Sequence, residues 1–155
     1  MKIVSIDPGT RNCGICVWVD GTITHFASYD LFEFVTKKEL TDYPTMAKNF
    51  VDRSGLFENV DVVLVENQIQ ARMKMLACAW RCFFWGKSVR VSPLAVRNYF
   101  KISTSNYRKN KASSKAFVHK FLNPEQSKQL LTNKKKDDIA DAVIQLYWYL
   151  KKNKL

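Results

Sequence analysis

Two acids in this chain stand at the ends of apolar runs, where a charge is expensive to keep. Lys2-Ile3-Val4-Ser5-Ile6 reads as a short apolar strand that leads straight into Asp7, and Val60-Asp61-Val62-Val63-Leu64-Val65 reads as a central strand that leads into Glu66. Pro8 and Gly9 impose a tight turn after Asp7. Gly14 then lets the chain re-enter an apolar run through Ile15, Val17 and Val19, which can pair back as a hairpin. Taking a carboxylate out of water costs several kcal/mol unless it is paired or bound to a metal. Acids in such places point to a metal ion or a phosphate-bearing partner rather than to surface decoration.

A further pair of acids lies on the last helix, predicted from about Asp137 to Lys152. At ~100° per residue, Ile139, Val143, Leu146 and Leu150 form one apolar face, and Ala140, Ile144 and Tyr147 form another. The narrow polar strip between them holds Asp138, Asp141 and Gln145, with Asp137 at its margin. Asp137 suits the positive end of the helix dipole. Asp141 lies a full turn further in, where repulsion from Asp138 on a largely buried helix calls for a compensating cation. Asp7, Glu66, Asp138 and Asp141 together offer oxygen ligands only, the preference of Mg²⁺ or Mn²⁺. Two such ions about 3.5–4 Å apart would stabilise both the attacking and the leaving oxygen of a phosphodiester displacement.

Bringing these acids together requires a sheet with a helix across its end. After the first hairpin, a third strand is predicted from Ile23 to Tyr29, then a helix from about Thr45 as N-cap with Met46, Phe50 and Val51 on its apolar side. Past Glu66, a long helix over Ile69 to Trp85 carries Ile69, Met73, Leu76, Trp80 and Phe83/Phe84 on its core face, with Gly86 as its stop. A short strand from Val89 to Val91 follows, and Ser92-Pro93 opens a helix through Tyr99. Lys101 to Lys111 shows no clear period. Ser113/Ser114 caps a helix through Leu122, and Asn123-Pro124-Glu125 restarts the chain. This order implies an α/β fold, a mixed sheet covered by helices on both faces.

At 155 residues and 46% apolar, the chain fits a single domain, residues 1–155, which at this size buries about 68–70% of its unfolded surface. No uncharged apolar run approaches the ~18 residues of a membrane span, and Met1-Lys2-Ile3 leads into a strand rather than a signal peptide, so a soluble intracellular protein is expected. The net charge of +11 is unevenly spread: residues 1–90 carry 11 Lys/Arg against 10 Asp/Glu, and residues 91–155 carry 14 against 4. Such a basic half favours a polyanionic partner, most commonly nucleic acid. Cys13 and Cys16 form a Cys-x-x-Cys, but their odd separation in a strand puts them on opposite faces, and no second such pair completes a zinc site. Free buried thiols are expected there.

Three pieces, Ile6-Asp7-Pro8-Gly9-Thr10-Arg11-Asn12-Cys13-Gly14, Val62-Val63-Leu64-Val65-Glu66 and Asp137-Asp138-Ile139-Ala140-Asp141-Ala142, resemble in content and order the motifs of the RuvC-type Holliday junction resolvases of the ribonuclease H-like superfamily. The small size, the lysine-rich helix boundary and the Trp/Phe-rich long helix look most like the poxvirus resolvases. The resemblance implies a five-stranded mixed sheet, three antiparallel strands and then parallel ones. It also implies a homodimeric, Mg²⁺-dependent endonuclease, with Mn²⁺ able to substitute, that cuts four-way or branched DNA to leave 5′-phosphate and 3′-hydroxyl ends in recombination and resolution of replication intermediates. The setting would be the host cytoplasm. Asp7, Glu66, Asp138 and Asp141 match the four metal-binding acids. A basic residue upstream of the last helix also belongs to the pattern. Lys109, Lys111 and Lys115 all lie in the right region, and Lys115 is favoured by its Lys-Ala-x-Val context.

Arg11, Arg72, Lys74, Arg108, Lys109, Lys111, Lys134, Lys135 and Lys136 are the expected DNA contacts. A second stripe on the long helix, Ala71, Met75, Cys78 and Cys82, has the heptad-like spacing of small residues that suits helix–helix contact across a two-fold axis. Cys78 and Cys82 near their symmetry mates could form an intermolecular disulfide under oxidation in vitro. Other readings stay open at this point: a hybrid-specific or other structure-selective nuclease of the same fold, and a non-catalytic DNA-binding module. A sugar-kinase or actin-like ATPase shares the Asp-x-Gly-Thr turn but needs two lobes and a second glycine-rich loop, for which 155 residues and 5 glycines leave no room.

Overall fold

The computed structural model describes the whole chain except Ser105 and the side chains of Tyr107, Arg108 and Lys111. β1 (Lys2–Asp7), β2 (Cys13–Val19) and β3 (Thr22–Tyr29) form an antiparallel meander. β4 (Val62–Glu66) and β5 (Ser88–Val91) extend it in parallel from the β1 edge, giving the order β3-β2-β1-β4-β5. The β2–β3 turn is tight because Asp20 and Gly21 take φ of 42° and 101°, the left-handed geometry a two-residue hairpin demands.

Strand alternation sorts the side chains into two cores. Val4, Ile6, Ile15, Val17, Val63 and Val65 face α1 (Tyr43–Ser54) and α2 (Ala71–Phe83). Ile3, Cys16, Trp18 and Leu64 face α3 (Pro93–Tyr99), α4 (Tyr107–Val118), α5 (Pro124–Thr132) and α6 (Lys136–Lys152). The same parity puts Asp7, in step with Ile3, and Glu66, in step with Leu64, on the α6 side of the sheet.

α6 is the element that meets them. Ile139, Val143, Ile144, Leu146 and Leu150 are buried, each stabilising the helix position by about 1.5–3 kcal/mol. A polar staple fixes its register: Ser5 Oγ donates to the Ala142 carbonyl at 2.7 Å, and Gln145 Nε2 donates to Ser5 Oγ at 2.9 Å and to the Ile6 carbonyl at 3.2 Å. Closeness of approach is set at Gly14, where a Cβ would lie 2.1 Å from the Asp138 carbonyl oxygen. The sequence reading gave Gly14 the task of restarting a strand; the stronger constraint is the backbone of α6 lying against it.

Several boundaries depart from the sequence reading. α1 begins at Tyr43, capped by Asp42, whose carboxylate accepts from the Thr45 amide at 3.1 Å; Thr45 lies inside the helix. α2 begins at Ala71, and Ile69, expected on its core face, stands in the preceding loop at 87% exposure. Phe83 and Trp85, at 45% and 84%, also escape the core, while Phe84 turns inward and stacks on Phe57. α4 starts at Tyr107, well before Ser113, because Asn106 Oδ1 caps it by accepting from the Lys109 amide at 3.2 Å. Ser114 is consequently a buried side chain within a helix rather than a cap. α5, unmarked in the sequence beyond its start, is opened by a reciprocal cap between Asn123 and Gln126.

Gly14→Ala is expected to destabilise the fold by about 1–3 kcal/mol, the range for inserting a methyl into a filled space. Urea unfolding checks it, and a wild-type midpoint would show that α6 can retreat from the sheet without cost.

Candidate active site

The β1–β4 register pairs Ile6 with Val65, so Asp7 and Glu66 end neighbouring parallel strands at the same level. Asp138 and Asp141, one turn apart near the start of α6, line the same cleft of about 600 Å³. Asp7 is only 9% exposed and the other three acids are half-buried. On α6 the strip of Asp138, Asp141 and Gln145 runs from the cleft into the core, where the last of these becomes the staple to β1.

Gln68 links two of the acids. Its Nε2 donates to Asp7 Oδ1 at 3.2 Å and to Glu66 Oε1 at 3.0 Å, one N–H for each carboxylate. Nothing in the sequence reading singled it out, although its place two residues beyond a strand-ending acid, on the same side of an extended chain, is the signal that could have. Arg97, from α3, also lines the cleft beside Glu66 and Asp141. It too was missed, because only the crossover after β5 brings α3 to this edge.

The remaining predicted residues are distributed more widely. Lys115 Nζ pairs with Asp137 Oδ1 at 3.0 Å, so it approaches the acids through the neighbour of Asp138. Arg11 lines the cleft, with its guanidinium 3.4 Å from Asp30 Oδ2 and 4.7 Å from the Phe32 ring centre. Arg72, Lys74, Lys109, Lys134 and Lys135 are exposed, and Lys136 is half-buried at the first position of α6. Arg108 and Lys111 have side chains outside the described residues. Ala71, Met75, Cys78 and Cys82 all lie exposed on α2, Met75 at 54%. A hydrogen bond with Cys78 raises the Cys82 thiol pKa. Cys13 and Cys16 are free and buried in opposite cores, and burial pushes both thiols up, which suits inert core groups rather than metal-binding thiolates.

The donor set fits a hard divalent cation. Four carboxylates supply oxygen alone, three are half-open to water, and two are drawn together by a single amide. Among the described residues no three His, Cys, Asp or Glu side chains are already closed into one coordination shell; the acids border an open cleft.

Acids on two adjacent parallel strand ends of a mixed five-stranded sheet, and on the helix crossing them, define the class of site. The chain belongs to the poxvirus A22 protein family, whose model matches residues 1–152. Its fold is similar to that of the fowlpox virus Holliday junction resolvase, with 22% identity, a TM-score of 0.71 and 99% of each chain covered. The fowlpox virus resolvase in complex with its Holliday junction substrate DNA matches with 19% identity, a TM-score of 0.73 and 99% of each chain. Thermus thermophilus RuvC matches with 13% identity, a TM-score of 0.56, and 99% of this chain and 97% of that one. No curated protein sequence matches the chain.

Gln68→Glu puts a third carboxylate against Asp7 and Glu66. Its melting temperature in EDTA is expected to fall below wild type by about 2–4 °C for each kcal/mol of added repulsion, and the deficit should shrink when Mg²⁺ is added. Melting curves that match wild type under both conditions would remove Gln68 from this role.

Proposed function

We propose that the chain is a divalent-metal-dependent Holliday junction resolvase that hydrolyses phosphodiesters in four-way DNA. The observation that carries this reading is the placing of Asp7, Glu66, Asp138 and Asp141 on one cleft, Asp7 and Glu66 at level strand ends and the other two on the crossing helix. Family membership, the fold shared with junction resolvases and the basic excess of residues 91–155 support it.

Asp7, Glu66, Asp138 and Asp141 would hold Mg²⁺, which when bound supplies positive charge for the attacking and leaving oxygens of the displacement. Around it, this chain's residues set the geometry. Gln68 keeps Asp7 and Glu66 side by side, the Ser5–Gln145 staple fixes the depth of Asp141, and the Lys115–Asp137 pair holds α4 against the first turn that carries Asp138. Arg97, lining the same cleft, is able to donate hydrogen bonds to a non-bridging phosphate oxygen. Water attack at phosphorus breaks the bond to the 3′ oxygen, which takes up a proton and leaves a 3′-hydroxyl and a 5′-phosphate.

Cutting two strands of one junction calls for two such sites, and the exposed Ala71, Met75, Cys78 and Cys82 stripe on α2 supplies a face for a homodimer. The setting that goes with the family is the cytoplasm of the infected host cell. No helix among the described residues is long and apolar enough to cross a membrane.

A labelled four-way junction with and without Mg²⁺, beside an RNA–DNA hybrid of equal length, tests the activity. Paired nicks in the junction alone, lost in EDTA, are expected; cutting of the hybrid alone would replace the substrate. Asp7→Asn, Glu66→Gln, Asp138→Asn and Asp141→Asn should each reduce cleavage to background while keeping junction binding as tight as wild type or tighter, because each removes a ligand and a charge that faces phosphate. Met75→Glu with Cys78→Glu should sediment as a monomer with little paired cutting; a dimer that still cuts in pairs would place the two-fold contact elsewhere.

A further inference from the structure

On the far side of Glu66 from the catalytic cleft, a second pocket of about 150 Å³ opens between α2 and β5. Lys74 and Arg81 from α2 and Arg90 from β5 line it, against the single carboxylate of Glu66, which Gln68 already engages. Arg90 reaches it because Val65 and Arg90 are paired across β4 and β5, with Val65 on the α2 side of the sheet. The Nε of Arg81 is buried with no hydrogen-bond partner among the described residues. Guanidinium and ammonium groups gathered at one pocket against a single carboxylate favour an anion with several acceptor oxygens. Neither Arg81 nor Arg90 belongs to the acid constellation, and no feature of the sequence marked them.

We infer that this pocket is a phosphate-binding subsite, in which Arg81 and Arg90, flanked by Lys74, grip a backbone phosphate of the junction next to the one that is cut. The inference rests on the resolvase reading and deepens it. Sharing Glu66, Asn67 and Gln68 with the catalytic cleft, the pocket is continuous with it, so a strand seated in one is led into the other. Three cations against one acid give the lining the sign that phosphate requires, and two arginines give it planar, directional donors rather than diffuse charge. Cys78, on the pocket wall, also belongs to the α2 stripe proposed for the two-fold contact, so in that dimer the subsite would border the contact. It would fix the register of the strand before any metal binds.

Junction binding in EDTA, measured by fluorescence anisotropy over a range of salt, separates this inference from the catalytic one. Arg81→Gln with Arg90→Ala should bind about tenfold more weakly, with the slope of log K against log salt reduced by about 0.9, the value of one phosphate contact. A neutral methylphosphonate placed in turn at each position flanking the cut should weaken wild-type binding, and at one position should have no further effect on the double variant. Arg90→Ala alone, at an exposed position on the edge strand, should show the same position-specific loss in part and covers the case in which Arg81→Gln fails to fold. Wild-type slope and affinity in both variants would overturn the subsite. So would melting of the free protein raised by inorganic phosphate without any change in junction binding, which would mark a site for the free anion. Loss of the dimer with an unchanged methylphosphonate pattern would give the pocket to a carboxylate of the partner subunit and overturn it as well. A wild type that ignores the junction overturns the resolvase reading and the subsite with it.

Discussion

The contact between the start of α6 and the sheet governs everything that follows in this molecule. It is a backbone contact: the Asp138 peptide lies against Gly14 so closely that even a methyl group would occupy the same space. The contact carries Asp138 to the β1–β2 end of the sheet, and the helix repeat then delivers Asp141 to the same cleft and Gln145 to the core. The apolar face of α6 supplies the attraction, and the Ser5–Gln145 staple converts a general preference for packing into one register. A slip of one residue along α6 would turn its acids by about 100°, away from Asp7 and Glu66.

Like charges have to be tolerated in such a cleft before any cation arrives. Three devices share the task. Gln68 offers a neutral donor to two acids at once, the N-terminal end of α6 offers its dipole to Asp137 and Asp138, and Lys115 neutralises Asp137 from α4. The ion pair is about a third exposed at both ends, so it orients more than it stabilises. Around this acidic centre the chain is strongly basic, which gives an extended polyanion a favourable path to a site that would repel it locally.

The cysteines illustrate how position decides chemistry. Cys13 and Cys16 share a motif that in another setting would bind metal, yet β2 turns them into opposite cores where burial disfavours the thiolate. Cys78 and Cys82, one helical turn apart on α2, remain open to solvent. The apolar residues left outside the core, Met75 on α2 and Phe83 and Trp85 at its end, gather at the same helix. A monomer gains nothing from that exposure, and the proposed two-fold contact would remove it from water.

The four acids were legible without the fold because each breaks a local rule: a charge at the end of a buried strand, or two like charges on the one polar strip of a buried helix. The mixed sheet and its two helical layers followed from the periodicities and the order of elements, whereas the strand order β3-β2-β1-β4-β5 was not among them. What the chain could not declare is where separate elements meet. Ile69 has the right spacing for the core of α2, but the helix begins two residues later and leaves it in water. Lys115 has the neighbours that favour it as the basic residue of the pattern, and only the packing of α4 shows that it pairs with Asp137. Arg81, Arg90 and Arg97 carry no local anomaly at all. Their meaning arises when the parallel β4–β5 pairing and the crossover helices bring them to Glu66, because periodicity along a chain fixes which face a residue occupies, while its neighbours on that face are chosen by packing between elements far apart in sequence.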